Sequence, residues 1–340
     1  MWDKGGRISY ALLSHFLFPC NNFNPTIRNA GRRVMEEGRL QMTNNEKQLR
    51  CMQWKKSKWG YIFLVPWFLV FVVFYAYPLV YGIFVSFTDY NLKGMSFIGL
   101  KNYVDIFKDY AFWRSLLAMF LYCLIVVPLR TIIPLWAANT LRPHSKGFTT
   151  LTKLLIYLPA VVCTSALVIS WKFMLTPGTG IVSQFIKAIG LGEVSLLDSA
   201  KTSIPILSLL IAFSNMGTNL IVFCAAINSV PETYYEAAEL DGASKSKQFR
   251  RITVPMLHSS IIYVLVTSTI ASLQIFVIPQ LMTGGGPNYT SSALLMLIYN
   301  SAFINYKFGY ASAIGVILFL LTAIIALIQF KTTNRETVEY

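Results

Sequence analysis

Pro231-Glu-Thr-Tyr-Tyr-Glu236-Ala-Ala-Glu-Leu-Asp241-Gly242-Ala-Ser244, running on to Phe249-Arg-Arg-Ile252-Thr-Val-Pro255, is a short polar stretch wedged between two long apolar runs. Ser229 and Glu232 have the spacing of a capping box, and Pro231 falls in the first turn, where its missing N–H costs nothing. A helix is expected to start there. Ala237 and Ala238 bare one side of it, Gly242 can take positive φ at its end, and Ser244 can cap a second short helix. Pro255 then opens the next apolar run. A helix stripped to alanine on one side can approach another surface closely, and Glu232, Glu236, Glu239 and Asp241 ring that side with charge. The pattern reads as a docking knob; it also reads as an ordinary amphipathic helix lying on a membrane surface.

The composition supplies the membrane. Apolar residues make up 55% of the 340 and charged residues 13%, and the mean hydropathy is +0.53. These values describe an integral membrane protein. A spanning helix needs about 20 mostly apolar residues. Six segments qualify, near 60–87, 112–140, 152–175, 203–228, 256–281 and 310–330, with prolines inside them that suggest kinks.

A net charge of +14 raises the question of nucleic acid, and the distribution of the charge answers it. Residues 1–59, 141–153, 229–257 and 331–340 together hold 20 Lys and Arg, against 6 in the alternate loops 88–111, 176–202 and 282–309. The positive-inside rule then places both termini and the Glu236 loop in the cytoplasm. Topology accounts for the basic excess, and no nucleic-acid partner is implied. The five cysteines contain no C-x-x-C pair, so neither a disulfide framework nor a metal site is indicated.

Residues 1–59 are polar and irregular and read as a cytoplasmic extension, with a Trp-Lys cluster at 54–59 anchoring the first span; 60–330 form the transmembrane domain, including the 229–255 loop, and 331–340 a cytoplasmic tail. No Asp or Glu falls in the six segments, which leaves no intramembrane carboxylate for a proton relay. There is no H-E-x-x-H and no G-x-S-x-G, so no enzyme is indicated. There is no G-x-x-x-x-G-K-[ST] either. An ATP-driven process would need its ATPase on another chain.

Glu236-Ala-Ala, Gly242, Ile252 and Pro255 together resemble the E-A-A-x-x-x-G-(x)9-I-x-x-P loop of ABC importer membrane subunits, most closely the sugar permeases of the maltose-permease type. Phe97-Ile-Gly-Leu-Lys-Asn-Tyr103 and Thr283-Gly-Gly-Gly-Pro287 are similar to turns of the same permeases; by themselves they read as a tyrosine-anchored turn and a tight exposed turn. The resemblance implies an all-α, six-span type I importer permease in a bacterial or archaeal inner membrane. It would work with a second homologous permease subunit, a cytoplasmic ATPase homodimer binding ATP and Mg, and an extracytoplasmic solute-binding protein. Surrounded by membrane lipid, this chain would hold no cofactor of its own.

On that resemblance Glu236, Ala237, Ala238, Asp241, Gly242 and Pro255 form a coupling helix that seats in the ATPase. A glycan would be held midway through the membrane by Asn215, Thr218 and Asn219 of the fourth span and Thr267 and Gln274 of the fifth. Neutral hydrogen-bonding side chains suit a sugar, although Ser, Thr and Asn in spans equally serve to bond helices together. Arg130 and Lys172 are costly within spans; they either reach for the interfaces or form a cationic path for a uronate oligosaccharide. Glycerol-phosphate-type cargo, a secondary facilitator working alone and a membrane receptor are the competing readings.

Overall fold

A computed structural model of the chain describes residues 63–142, 145–189, 195–199 and 201–333. The extension at 1–59, the anchor at 54–59, both termini and most of the C-terminal tail lie outside the described residues. The chain divides into two compact units, Met1–Pro78 and Leu79–Tyr340. Of the first, only 63–78 are described, the start of α1 (Phe63–Val85). Trp67, Phe71 and Tyr75 stack along it at i, i+4 spacing, with ring separations of 5.7 and 6.2 Å. All three are exposed, as suits a face in contact with lipid.

The second unit continues with α2 (Lys101–Lys108), α3 (Tyr110–Leu141), α4 (Lys146–Val161), α5 (Thr164–Leu175), α6 (Ile181–Ala188) and α7 (Ser203–Asn228). Next come α8 (Thr233–Leu240), α9 (Lys245–Met256), α10 (His258–Leu273), α11 (Val277–Thr283), α12 (Leu294–Ile304) and α13 (Phe308–Thr333). Among the described residues there is no strand, only the isolated bridges Thr88 to Phe97 and Asn91 to Gly94. The all-α expectation therefore holds.

Among the described residues four helices are long and apolar enough to cross a membrane, α1, α3, α7 and α13, and counting each of two bent pairs as one span raises the number to six. The bends correct the expected segments. The run at 152–175 is not one rod: α4 and α5 meet at 94°, across Val162 and Cys163, whose backbones are extended. Pro159, shortly before that break, lacks the amide that would bond Leu155. The run at 256–281 is likewise interrupted. α9 meets α10 at 74° at Leu257, and α10 stops at Gln274, before α11 begins.

α3 is the axle. Its 32 residues span about 48 Å at 1.5 Å per residue. Val126 and Leu135 of α3 belong to two buried clusters that both run along α7, through Leu207 and Ile211 in one and Leu220 and Phe223 in the other. On the far side of α7 the backbone of α4 comes unusually close. A Cβ at Gly217 would lie 2.5 Å from the Tyr157 Cα and 2.6 Å from the Ile156 carbonyl oxygen. Small residues are what allow such approaches in lipid.

Gly217→Val must therefore separate α4 from α7, at a cost of about 1–3 kcal/mol for overpacking. Thermal unfolding of the purified chain checks this, and a variant as stable as the wild type would refute the close approach.

Candidate functional site

The knob between α7 and α10 ends its first helix in a Schellman motif. Gly242 sits just past α8 at φ 70°; its N–H donates to the Glu239 carbonyl at 3.0 Å, and the Ala243 N–H to the Ala238 carbonyl at 2.9 Å. Ser244 caps α9 as expected, its oxygen accepting from the Lys247 amide at 3.4 Å. The capping box at the start of α8 does not form. Ser229 is still the C-cap of α7 and donates its hydroxyl back to the Ala226 carbonyl at 2.7 Å, while Glu232 makes no side-chain cap.

Glu236, Ala237, Asp241, Gly242 and Pro255 are exposed and Ala238 is half-buried. Leu240, at the tip, is 90% exposed. The tip of the short helix is thus an uncovered leucine. Glu239 and Lys245 bridge at 2.7 Å beside it, and the bond from Lys245 holds the Glu239 carboxyl below its ordinary pKa. That bridge is complete at neutral pH and is lost only as pH falls through the lowered value. Both groups being exposed, it contributes little to stability.

Tyr235 fastens the knob to the bundle, a role that sequence reasoning missed. It is buried among Leu135, Phe223, Leu257 and Val264, contributed by three spans. Its hydroxyl and Thr253 share a hydrogen bond at 3.0 Å, and Thr253 donates to the Asn139 side-chain carbonyl at 3.4 Å. The Arg142 guanidinium lies 3.3 Å over the ring. The signal available in the sequence was the Tyr234-Tyr235 doublet inside a helix otherwise bared to alanine.

Higher in the bundle, Asn219 works between helices. Pro134 removes the amide that would have bonded the Arg130 carbonyl within α3, and Asn219 Nδ2 donates to that carbonyl instead, at 2.8 Å. The same amide reaches the Ser268 hydroxyl of α10 at 3.3 Å. Thr218 and Thr267 are the chain neighbours of this joined pair, and both are exposed. Asn215, one turn from Thr218, is exposed as well, as is Gln274 at the break after α10. Thr267 turns its hydroxyl proton back to the Tyr263 carbonyl at 2.7 Å.

Tyr263, 59% exposed and one turn before Thr267, adds an aromatic ring that sequence reasoning did not nominate. The stripe of Tyr263, Thr267 and Gln274 along α10, and separately Asn215 and Thr218 on α7, offer neutral donors, acceptors and a ring, and no formal charge. Of the cations within the spans, Lys172 donates to the Leu281 carbonyl at 3.0 Å and so caps the C-terminal turn of α11. Arg130 keeps its buried Nε without a partner among the described residues. Among those residues no three His, Cys, Asp or Glu gather as a metal site would require.

The protein family described as the binding-protein-dependent transport system inner membrane component matches residues 130–335. The probable ABC transporter permease protein YurN of Bacillus subtilis is 32% identical over 284 residues, 81% of this chain and 97% of that protein. The multiple sugar-binding transport system permease protein MsmF of Streptococcus mutans is 28% identical, covering 82% of this chain and 96% of its own length. A crystal structure of a bacterial ABC transporter involved in alginate import has a chain that superposes with a TM-score of 0.75. That likeness is at 24% identity, over 83% of this chain and 97% of that one, and it bears on the fold alone.

Two substitutions gauge the anchor. Tyr235→Phe forfeits one hydrogen bond, about 1 kcal/mol, whereas Tyr235→Ala also opens a cavity and costs about 3–5 kcal/mol. Equal melting temperatures for the two variants would show that the ring does not hold the knob.

Proposed function

Because the chain belongs to the family of binding-protein-dependent transport system inner membrane components, we propose that it is one permease subunit of an ATP-driven importer of oligosaccharides or related glycans. That family consists of membrane-embedded transport components rather than enzymes, in line with the reading of the sequence. In the proposed assembly a second homologous permease completes the path, a cytoplasmic ATPase homodimer binds ATP and Mg, and an extracytoplasmic solute-binding protein delivers the cargo.

The observation that carries this reading is the knob: a short helix with a bare, exposed tip, Leu240, and a root, Tyr235, buried against three spans. In the proposed assembly Glu236, Ala237, Ala238, Asp241 and Gly242 seat in the ATPase, and Pro255 helps turn α9 into the membrane. The curated relatives support the carbohydrate assignment, since a permease protein of a multiple sugar-binding transport system is among them. Asn215, Thr218, Thr267 and Gln274 are the proposed contacts to the glycan. Asn219 is proposed to hold the two helices that present them.

One observation favours an acidic cargo. Arg130 is partly buried, its Nε has no partner, and the spans contain no carboxylate to neutralise it. If a uronate supplies that charge, Arg130→Gln abolishes uptake of uronic oligosaccharides and spares neutral ones; equal losses for both refute the acidic reading.

The main reading is tested in proteoliposomes holding the assembled complex. Uptake of labelled oligosaccharide should require ATP, and a cysteine at position 238 (Ala238→Cys) should cross-link to the ATPase; uptake by the chain alone without ATP would mark a facilitator instead. The double substitution Asn215→Ala and Gln274→Ala should leave assembly intact and weaken transport about tenfold, since two lost hydrogen bonds are worth about 1–3 kcal/mol. Unchanged kinetics would remove the sugar from that stripe.

A further inference from the structure

At the end of α3 opposite the knob, the first loop and the loop around α12 wall an open cleft of about 750 Å³. Its base is rigid. Asn102 Nδ2 donates to the carbonyls of Ser86 and Thr88, each at 2.9 Å, and the Tyr310 hydroxyl donates to Asp109 Oδ2 at 2.7 Å. The Gly309 amide donates to the Tyr90 carbonyl at 3.1 Å, an approach so close that a Cβ on residue 309 would run into the Thr88 carbonyl oxygen.

The lining is charged yet balanced. Asp89, Asp105 and Asp109 share it with Lys93, Lys101 and Lys307, and among the described residues none of these carboxylates pairs with any of these ammonium groups. Hydrogen-bond donors and acceptors of both signs thus stand apart around one space, with no net charge to attract an ion.

Two lining tyrosines occupy backbone conformations that bulky residues avoid: Tyr289 has φ 60° and Tyr306 φ 55°. With Asn288 at φ 47°, they are the non-glycine residues of positive φ in the described chain. Asn288 and Tyr289 fill the centre of a turn closed by the Thr290 amide on the Pro287 carbonyl at 2.9 Å. Positive φ at both central positions is the type I′ arrangement, which favours glycine second. A tyrosine there is strained, and such strain concentrates where a side chain must be presented to a ligand.

We propose that this cleft is a reception site for a neutral oligosaccharide, distinct from the stripe in the membrane. Tyr289 and Tyr306 present rings to the apolar sugar faces, while Asp105 and Lys93 exchange hydrogen bonds with hydroxyls. The proposal rests on the carbohydrate reading above. A small ligand suits the space better than a protein does, because the volume lies within the range of small-molecule sites and the balanced charge provides no field to steer a macromolecule.

The test uses the full chain in lipid nanodiscs, without ATP or binding protein, and saturation-transfer NMR with maltotetraose, xylotetraose and arabinotetraose, with tetragalacturonate as the charged comparison. At least one neutral tetrasaccharide should give a signal that survives Asn215→Ala with Gln274→Ala and falls at least fivefold in Tyr306→Gly. Glycine accepts φ 55° without strain, so that variant should melt no lower than the wild type. If it does melt lower, Lys93→Ala with Asp105→Asn carries the same readout, both side chains being exposed.

Absence of signal from all three neutral sugars overturns the proposal, as does a signal from tetragalacturonate alone or one that no cleft substitution reduces. In a second experiment on the assembled complex with its binding protein, a Tyr306→Gly variant that has kept the saccharide signal but loses cross-linking to that protein overturns the proposal and makes the cleft a protein-docking face. ATP-driven uptake by the wild-type complex, measured separately, distinguishes failure of this site from failure of the carbohydrate reading.

Discussion

The arrangement depends on one repair in a broken hydrogen-bond ladder. In hydrocarbon, each backbone carbonyl without a donor costs several kcal/mol, and Pro134 strands the carbonyl of Arg130 inside the longest of the described helices. Asn219 closes that gap from α7 and with the same amide reaches Ser268 of α10. Three spans are thereby held at one level, and α3 can run on as an axle from Asp109 at one end to Asn139 and Arg142 at the other. At the first end Asp109 accepts from Tyr310, and at the second Asn139 and Arg142 meet the knob.

The knob is built by different physics. Its outer half is held by local backbone geometry, the Schellman turn at Gly242 and the Ser244 cap, and it keeps little buried surface of its own. Its inner half is a single aromatic residue set into a cluster shared by three spans. Residues shaped by local rules lie outside and the residue shaped by packing lies inside. A rigid fitting needs this division, because the tip must stay free for a partner while the root transmits its position.

Much of this was legible in the sequence, and the reasons are physical. Chain length, apolar runs and the bias of Lys and Arg are summed properties, insensitive to any one contact, so they gave the six segments and the class. Gly242 acts through its own backbone and Ser244 through a hydroxyl that reaches only three residues on, so both behaved as their residue types dictate. What failed was anything decided by a distant neighbour. Ser229 and Glu232 match a capping box on paper, but the continuation of α7 claims the Ser229 hydroxyl first. The residue type of Asn219 was plain, but not its partners, a carbonyl 89 residues away in the chain and a hydroxyl 49 residues away. The bend at Val162 and Cys163 leaves no mark on a hydropathy window, which averages over it. Tyr235, an aromatic in a polar loop, was passed over because its burial comes from helices remote in sequence.

The bends also decide where a push on the knob can go. Leu257, buried at the 74° elbow between α9 and α10, donates its amide N–H to the carbonyl of Thr253, the residue whose hydroxyl also shares a hydrogen bond with Tyr235. Displacement of α8 under the proposed function therefore reaches two elements together: α10 through the elbow, and α3 through Asn139 and Arg142. α3 and α7 share long buried clusters, and α10 is packed against the same layer through Val264 and the Asn219 bond to Ser268. Under the proposed function, Tyr263, Thr267 and Gln274 are thus carried on the helix that follows the elbow, and Asn215 and Thr218 on α7, to which that helix is tied. Under the proposed function, a change of angle at the elbow alters how a glycan touching both helices is held. Such a differential contact would let a bound sugar and a closing ATPase bias one equilibrium.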